Sequence, residues 1–364
     1  KMITIKYIYL ILCSLIFMFL SFFINVKIGK AIKGPCSECH TMHYSQNGTS
    51  NIAFWQSGGP HKALVIGDCV FCHTKDTTHR PNVPYVFSPG GPSTTYSFGP
   101  DDNDDISAGG DFYYVNATGG DAKGHNVLGL APFDSAFSGA GKLYPPGYTS
   151  TYRGYDWDST QQVTCAGKWG CHGNYTLTDQ FAAISGAHHR NVYCNASDSS
   201  NNCTGTYVWD SYRFLLGIKG TEDPDYERNW STGTTDHNGY YAVDQQPTGS
   251  NTGSINYLCA ECHGIFHNET YSGSYQSPWL RHPTDYDMGN VNATKEYGKY
   301  PGPFNETGAG DYFPDVPVGN NEGKALDKVF QKSDDAIVLC ISCHRAHATP
   351  YDDILRWDYS ECQC

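Results

Sequence analysis

Four copies of Cys-x-x-Cys-His limit what this chain can fold into more than any other feature. They are Cys36-Ser37-Glu38-Cys39-His40, Cys69-Val70-Phe71-Cys72-His73, Cys259-Ala260-Glu261-Cys262-His263 and Cys340-Ile341-Ser342-Cys343-His344. On a helical turn, positions i, i+3 and i+4 share one face. Two thiols at that spacing reach the two vinyl groups of one haem, and the histidine that follows lies under the iron. Zinc ribbons also use Cys-x-x-Cys pairs, but zinc does not require a histidine directly after each pair. Histidine makes up 15 of 364 residues. Four out of four by chance is therefore on the order of one in a few hundred thousand, whereas haem attachment demands it. The motifs read as four haem c sites, with the eight cysteines as attachment points and His40, His73, His263 and His344 as proximal ligands.

The rest of the chain is poorly equipped to build an ordinary core. Its hydrophobic content is 39%, with 27 tyrosines, 39 glycines and 19 prolines. A loop-rich chain of this kind has difficulty offsetting its ordering entropy by burying apolar surface, and flat apolar cofactors would supply what is missing. The expected fold is mostly irregular and haem-cored, with short α-helices around the motifs and a few short β-strands. Residues Phe112–Val115 read as a strand. Asp179–His189, Ser211–Ile218 and Lys324–Lys332 read as short helices. Asp101–Asp105 reads as a solvated acidic loop, with a calcium site as the competing reading. The net charge of −13 disfavours nucleic acid and anionic membranes as partners.

The N-terminus reads as an export signal. Lys1 and Lys6 precede an apolar run from Tyr7 to Val26, and the small residues Gly29 and Ala31 follow it in the relative positions of a cleavage site. The expected division is a signal peptide over residues 1–31 and a single domain over 32–364. An uncleaved anchor competes, because about 20 apolar residues span a bilayer; it would be the chain's one contact with a membrane. The expected location is extracellular or at the cell surface, with the periplasm as the alternative. Nine Asn-x-Ser/Thr sequons, at Asn47, Asn116, Asn174, Asn195, Asn202, Asn229, Asn268, Asn292 and Asn305, suit a glycosylated surface protein, although an Asn- and Thr-rich loop composition also produces them.

Beyond the motifs, the sixth iron ligand has to be found. After removal of the signal peptide only Met42 and Met288 remain, so methionine ligation cannot be general. Eleven further histidines are available, and bis-His ligation is the economical reading. The distal candidates are His43, His61, His125, His172, His188, His189, His282 and His347, with His79, His237 and His267 ranked below them. His43 and His347 each follow a proximal histidine by three residues. That is too close to reach the far side of the same haem, but near enough to cap a neighbouring one.

Fifteen cysteines in an exported chain should be bonded to something. The segment from Cys165 to Cys171-His172 has five residues between its thiols, which breaks the one-turn geometry. A Cys165–Cys171 disulfide that presents His172 as a distal ligand is expected; a fifth haem on a looped-out backbone is the alternative. Cys194 and Cys203 are expected to form a second disulfide, leaving Cys362 and Cys364 at the tail.

Several strings resemble one family when taken together: Cys39–His43, Gly109–Val115, Gly124–Val127, Gly170–Gly173, Gly186–His189, Trp279–Tyr286 and Cys343–Tyr351. The chain resembles the tetrahaem extracellular cytochromes that polymerise into nanowires in metal-reducing bacteria and some archaea, the OmcE type. The resemblance implies bis-His haems in a continuous row, homopolymeric filaments in which one subunit completes a haem site of the next, and electron exchange with other redox proteins or extracellular acceptors. The Cys-x-Cys tail has no counterpart in that pattern. Two other functions compete: a multihaem oxidoreductase, which needs an open iron, and a monomeric periplasmic shuttle.

Overall fold

The computed structural model describes residues 36–42, 45–46, 49–50, 63–75, 83–92, 106–133, 144–148, 157, 161–188, 194, 203–230, 232–244, 252–267, 284–290, 300 and 310–361. Regular structure among them is sparse and short. The helices are α1 (Cys69–Cys72), α2 (Tyr113–Asn116), α3 (Gln180–Ala183), α4 (Ile255–His263) and α5 (Cys340–Cys343), with single 3-10 turns such as Cys36–Glu38 between them. The strands are β1 (Ser45–Gln46), β2 (Thr49–Ser50), β3 (Thr164–Ala166), β4 (Gly170–His172), β5 (Gly220–Thr221), β6 (Gly239–Tyr241), β7 (Gly310–Asp311), β8 (Gly319–Asn320) and β9 (Lys328–Val329). β6 pairs antiparallel with β5 and parallel with β8 in the one three-stranded sheet among the described residues. The mostly irregular fold with a few short elements is the one expected.

Each Cys-x-x-Cys-His motif falls on a helical turn, and the turn sorts its residues. In α1, Val70 is buried while Cys69 and Cys72 are only partly so; in α5, Ile341 is buried while Cys340 and Cys343 are partly so. Position i+1 points away from i, i+3 and i+4, so one apolar residue anchors the turn and leaves the thiols and histidine facing the other way. Asp68 caps α1, its carboxylate accepting the Phe71 N–H at 2.7 Å, and the Ser254 hydroxyl oxygen caps α4 by accepting from Tyr257 at 3.2 Å. Each cap satisfies a backbone donor that the helix itself cannot.

Apolar side chains gather into three clusters. One joins Val70 of α1 and Phe112 and Val115 around α2 to Val127, Leu130 and Ala348. The second joins Ile255 of α4 and Ile341 of α5 to Tyr212, Leu215, Tyr240 and the Cys194–Cys203 disulfide. The third holds Tyr300, Tyr312, Phe313 and Val318 with Met288. That disulfide is the one expected.

Three local expectations are corrected. Residues Phe112–Val115 are not a strand: Tyr113–Asn116 is the helix α2. Phe112 and Val115, three apart, are the buried pair, while Tyr113 and Tyr114 are half-buried, which is helical rather than alternating periodicity. Lys324–Lys332 contains no helix. The Asp335 carboxylate instead accepts the backbone N–H groups of Phe330, Gln331 and Lys332, and Lys328–Val329 is strand β9. The third correction concerns Ser211–Ile218, where only Tyr212–Phe214 forms a 3-10 turn, with Arg213 and Phe214 in the left-handed region. The acidic loop Asp101–Asp105, the apolar N-terminal run and Cys362 and Cys364 lie outside the described residues. Among those described, no helix is long and apolar enough to cross a membrane.

Asn256 ties the third motif to the fourth. It is fully buried on α4; its side-chain oxygen accepts the Cys340 N–H at the start of α5 at 2.7 Å, and its amide donates to Asp285 at 2.9 Å and to the Val338 carbonyl at 3.2 Å. Replacing Asn256 with Ala strands these groups in the interior. Thermal unfolding of the Asn256→Ala holoprotein should show a loss of about 1–3 kcal/mol, against no measurable change for the exposed Asn321→Ala.

Candidate haem sites

The motif histidines share one hydrogen bond. His40 Nδ1 is 3.0 Å from the Ala63 carbonyl, His73 Nδ1 2.7 Å from that of Pro84, His263 Nδ1 2.7 Å from that of Pro146 and His344 Nδ1 2.8 Å from that of Asp353. A carbonyl only accepts, so Nδ1 carries the proton and Nε2 carries the lone pair. This is the tautomer of a metal-ligating imidazole with its second nitrogen fixed by the protein.

Two of these histidines sit in the same backbone cradle. At the first motif, the Thr41 N–H donates to the Leu64 carbonyl at 2.7 Å, so His40 and Thr41 grip Ala63 and Leu64 in step. At the fourth, the Arg345 N–H donates to the Ile354 carbonyl at 3.0 Å, so His344 and Arg345 grip Asp353 and Ile354 likewise. Leu64 (φ 55°), Asp353 (φ 57°) and Ile354 (φ 58°) all lie in the left-handed region. Such conformations are uncommon for these residue types and persist where the surroundings enforce them; here they turn the carbonyls towards the imidazole.

Opposite two motif histidines stands a second imidazole. The rings of His73 and His188 have centroids 6.1 Å apart, and those of His125 and His263 6.2 Å apart. A metal–imidazole bond is about 2.0 Å, so two imidazoles on opposite sides of one metal place their centroids about 6 Å apart. Both pairs join a motif histidine to one of the candidate distal residues. His125 is aimed by the same device, with its Nδ1 2.8 Å from the Ala346 carbonyl. Burial, then the charge of His125, pushes the His263 pKa down to about 4; burial also lowers those of His125 and His172. The neutral form that binds metal is the one favoured.

The other candidates divide. His172 on β4 has its Nδ1 2.9 Å from the Arg213 carbonyl. His347 stacks on Phe112 with centroids 4.8 Å apart, and burial, then the charge of His172, pushes its pKa down to about 3. His237 differs: it is fully buried, stacks on Tyr312 at 3.8 Å, and both its ring nitrogens lie within hydrogen-bond distance of backbone carbonyls, those of Asn238 and Leu326. It is a core histidine. His43, His61, His79, His189 and His282 lie outside the described residues, and nothing is described of the His267 side chain. Of the methionines, Met42 is 79% exposed and Met288 packs in an apolar cluster.

The expected Cys165–Cys171 disulfide is absent. Cys165 packs against the first apolar cluster, and the Cys69 thiol donates to its sulfur, whereas Cys171 is exposed on the neighbouring strand. The carbonyl partners of the histidines, and Asn256, were invisible to sequence reasoning: a backbone carbonyl has no residue signature, and Asn256 gains its meaning only from contacts far along the chain.

The residues therefore fit haem c, with thiols one turn apart beside an oriented imidazole. The chain is similar to a c-type cytochrome. It is 24% identical over 375 residues to the C-type cytochrome OmcS of Geobacter sulfurreducens, covering 89% of this chain and 78% of that protein. Two solved structures are similar. One, of OmcS nanowires from Geobacter sulfurreducens, has a TM-score of 0.47 at 22% identity, covering 91% of this chain and 85% of that one. The other, an Outer Membrane Cytochrome S filament from the same organism, has a TM-score of 0.38 at 20% identity, covering 90% and 84%. No family model matches the chain.

Were His125 and His263 to hold one iron between them, His125→Ala would convert one haem per chain to a high-spin ferric signal that added imidazole reverses. His237→Ala should leave the spectrum unchanged. Electron paramagnetic resonance of the two variants checks both.

Proposed function

We propose that this chain carries electrons outside the cell through a row of c-type haems, as one subunit of a filament built from copies of itself. The observation that carries the reading is the two imidazole pairs, His73–His188 with centroids 6.1 Å apart and His125–His263 6.2 Å apart, each containing the histidine of a Cys-x-x-Cys-His motif. Bound haem supplies an iron that cycles between ferric and ferrous states, one electron at a time. Cys36, Cys39, Cys69, Cys72, Cys259, Cys262, Cys340 and Cys343 hold it. His40, His73, His263 and His344 would supply one imidazole to each iron, and His188 and His125 a second one at the sites of His73 and His263.

Where an imidazole would stand on each face, as at His73 and His263, no position would be left for a substrate, which supports electron transfer rather than catalysis at those two sites. The protein's part is to position its cofactors and tune them. The motifs lie close enough for this. The thiols of Cys340 and Cys259, which belong to different motifs, are in hydrogen-bond contact. The backbone after the fourth motif also supplies the carbonyl that aims His125 at His263, so one segment serves two neighbouring sites.

The filament rests on the likeness to OmcS and on the residues three beyond a motif histidine. His43 is placed by the sequence to cap a haem other than its own, and a haem of the next subunit is the natural one. Self-association is therefore the proposed partnership, with the mature domain following residue 31. Electron microscopy of protein released from the cell surface should show regular filaments, and resting ferric protein should be low-spin throughout. A uniformly monomeric preparation would remove the filament; a native high-spin haem would restore an enzymatic reading.

A further inference from the structure

The segment around Cys165, Cys171 and His172 does not match the spacing of the four motifs, yet three features of its geometry relate it to them. The first is the cradle. The Nδ1 of His172 lies 2.9 Å from the Arg213 carbonyl, and the next residue, Gly173, donates its N–H to the Phe214 carbonyl at 2.7 Å. This is the stepwise grip seen at His40 with Ala63 and Leu64, and at His344 with Asp353 and Ile354. The likeness extends to the backbone: Arg213 (φ 48°) and Phe214 (φ 61°) are both left-handed, as are Asp353 and Ile354. Arg213 is held there by its N–H to Glu222 at 2.7 Å and by its guanidinium on the Asp223 carbonyl at 2.6 Å and Asn238 at 3.0 Å. His125, which faces a motif histidine, lacks this pattern: the carbonyl partner of its Nδ1 is Ala346, and its own N–H donates to His347.

The second feature answers the spacing. Five residues between thiols cannot sit on one helical turn. Here they loop out instead, because β3 and β4 pair in parallel with Thr164 opposite Gly170 and Ala166 opposite His172. Within the loop, the Gly170 N–H donates to Gly167 and the Gly167 N–H to His172, both at 2.9 Å. Cys165 and Cys171 thus lie across a strand pair. Neighbouring strands are about 4.8 Å apart, close to the 5–6 Å that separates i and i+3 positions on a helix. A sheet pairing replaces the turn.

The third feature is the neighbour of Cys165. Its sulfur accepts from the thiol of Cys69, the first cysteine of the second motif. The first cysteines of the third and fourth motifs, Cys259 and Cys340, touch in the same way. Cys165 therefore stands to a complete motif as one motif cysteine stands to another.

From these features we infer that Cys165, Cys171 and His172 form a fifth haem c attachment site, with His172 as its proximal ligand. The inference rests on the reading of the four motifs as haem c sites. In attachment, each thiol adds across one vinyl group. A C–S bond forms at the vinyl carbon next to the ring, the S–H bond and the vinyl π bond are consumed, and the hydrogen goes to the terminal carbon. No atom is lost and there is no net oxidation, so each occupied site adds one whole haem mass. A Cys165–Cys171 disulfide would instead remove two hydrogens.

Lys168 lies between the two cysteines and makes the test direct. Holoprotein purified with its haems is digested with trypsin and treated with a thiol reductant. Gly154–Lys168 and Trp169–Arg190 should stay joined after reduction, carry one haem mass and absorb in the haem band. Fragments that separate on reduction without a haem mass show a disulfide, and fragments already separate before reduction show unmodified thiols; either overturns the fifth site. The same digest reads the peptides of the four Cys-x-x-Cys-His motifs. Haem on those four and none on this segment would refute the fifth site alone, whereas their lack of haem would refute the proposed function.

Discussion

The structure depends on a hydrogen bond that each motif histidine makes to a backbone carbonyl from another part of the chain. The partners lie outside the motif turns: His344 reaches Asp353, His73 reaches Pro84, His40 reaches Ala63 and His263 reaches back to Pro146. A carbonyl can only accept, so each bond selects one tautomer and one ring orientation and commits Nε2 to the metal side. The Cys-x-x-Cys-His turn supplies the thiols from local sequence alone, but the direction of the imidazole is a tertiary property. This explains why so much irregular chain surrounds such short helices. The loops deliver carbonyls to specified points.

That arrangement fits how the molecule buries its apolar surface. Among the described residues the apolar side chains form modest clusters, and each of two motif turns puts one residue, Val70 or Ile341, into them. The opposite side of each turn is left for the cofactor. Where segments cross, small residues are required. Gly110 has φ 89°, and a Cβ there would lie 2.0 Å from the Ala348 carbonyl oxygen. Ala348 also bridges to Gly124, so the backbone just beyond His347 is threaded between two loops with no space for side chains. His125 and His347, both aimed or held by this crossing, owe their positions to it.

The four thiol-bearing turns were legible in the sequence, because haem attachment would impose a short spacing that chance does not reproduce. The general character of the fold was legible too, from the shortage of aliphatic residues. Individual elements were less so. Phe112–Val115 has the composition of a strand, but its buried residues are three apart. Lys324–Lys332 has helical composition, but Asp335 captures the N–H groups that a helix would use. Distal histidines were only partly legible. Eleven histidines offered themselves, and nothing local separates His125, which faces His263, from His237, which is sealed against Tyr312. Only the approach of distant segments distinguishes them.

The segment from Cys165 to His172 shows where a spacing rule stops being a physical one. Haem attachment requires two thiols a few ångströms apart and an imidazole held beside them, and a helical turn is the shortest way for a chain to satisfy that. A parallel strand pair with a looped-out connection places two cysteines at a similar separation. The same left-handed carbonyl cradle then orients the histidine that follows. Rejecting the segment on its five-residue interval assumes the helix; the cradle at Arg213 and Phe214 depends on the histidine alone. That cradle recurs at His40 and His344 but not at His73, where the Val86 N–H donates to the His73 carbonyl, nor at His263, where the Ile265 N–H donates to Gly147, so it marks two of the four motif histidines. His172 shares with His40 and His344 the hold on the residue that follows, and that likeness groups it with those two motif histidines.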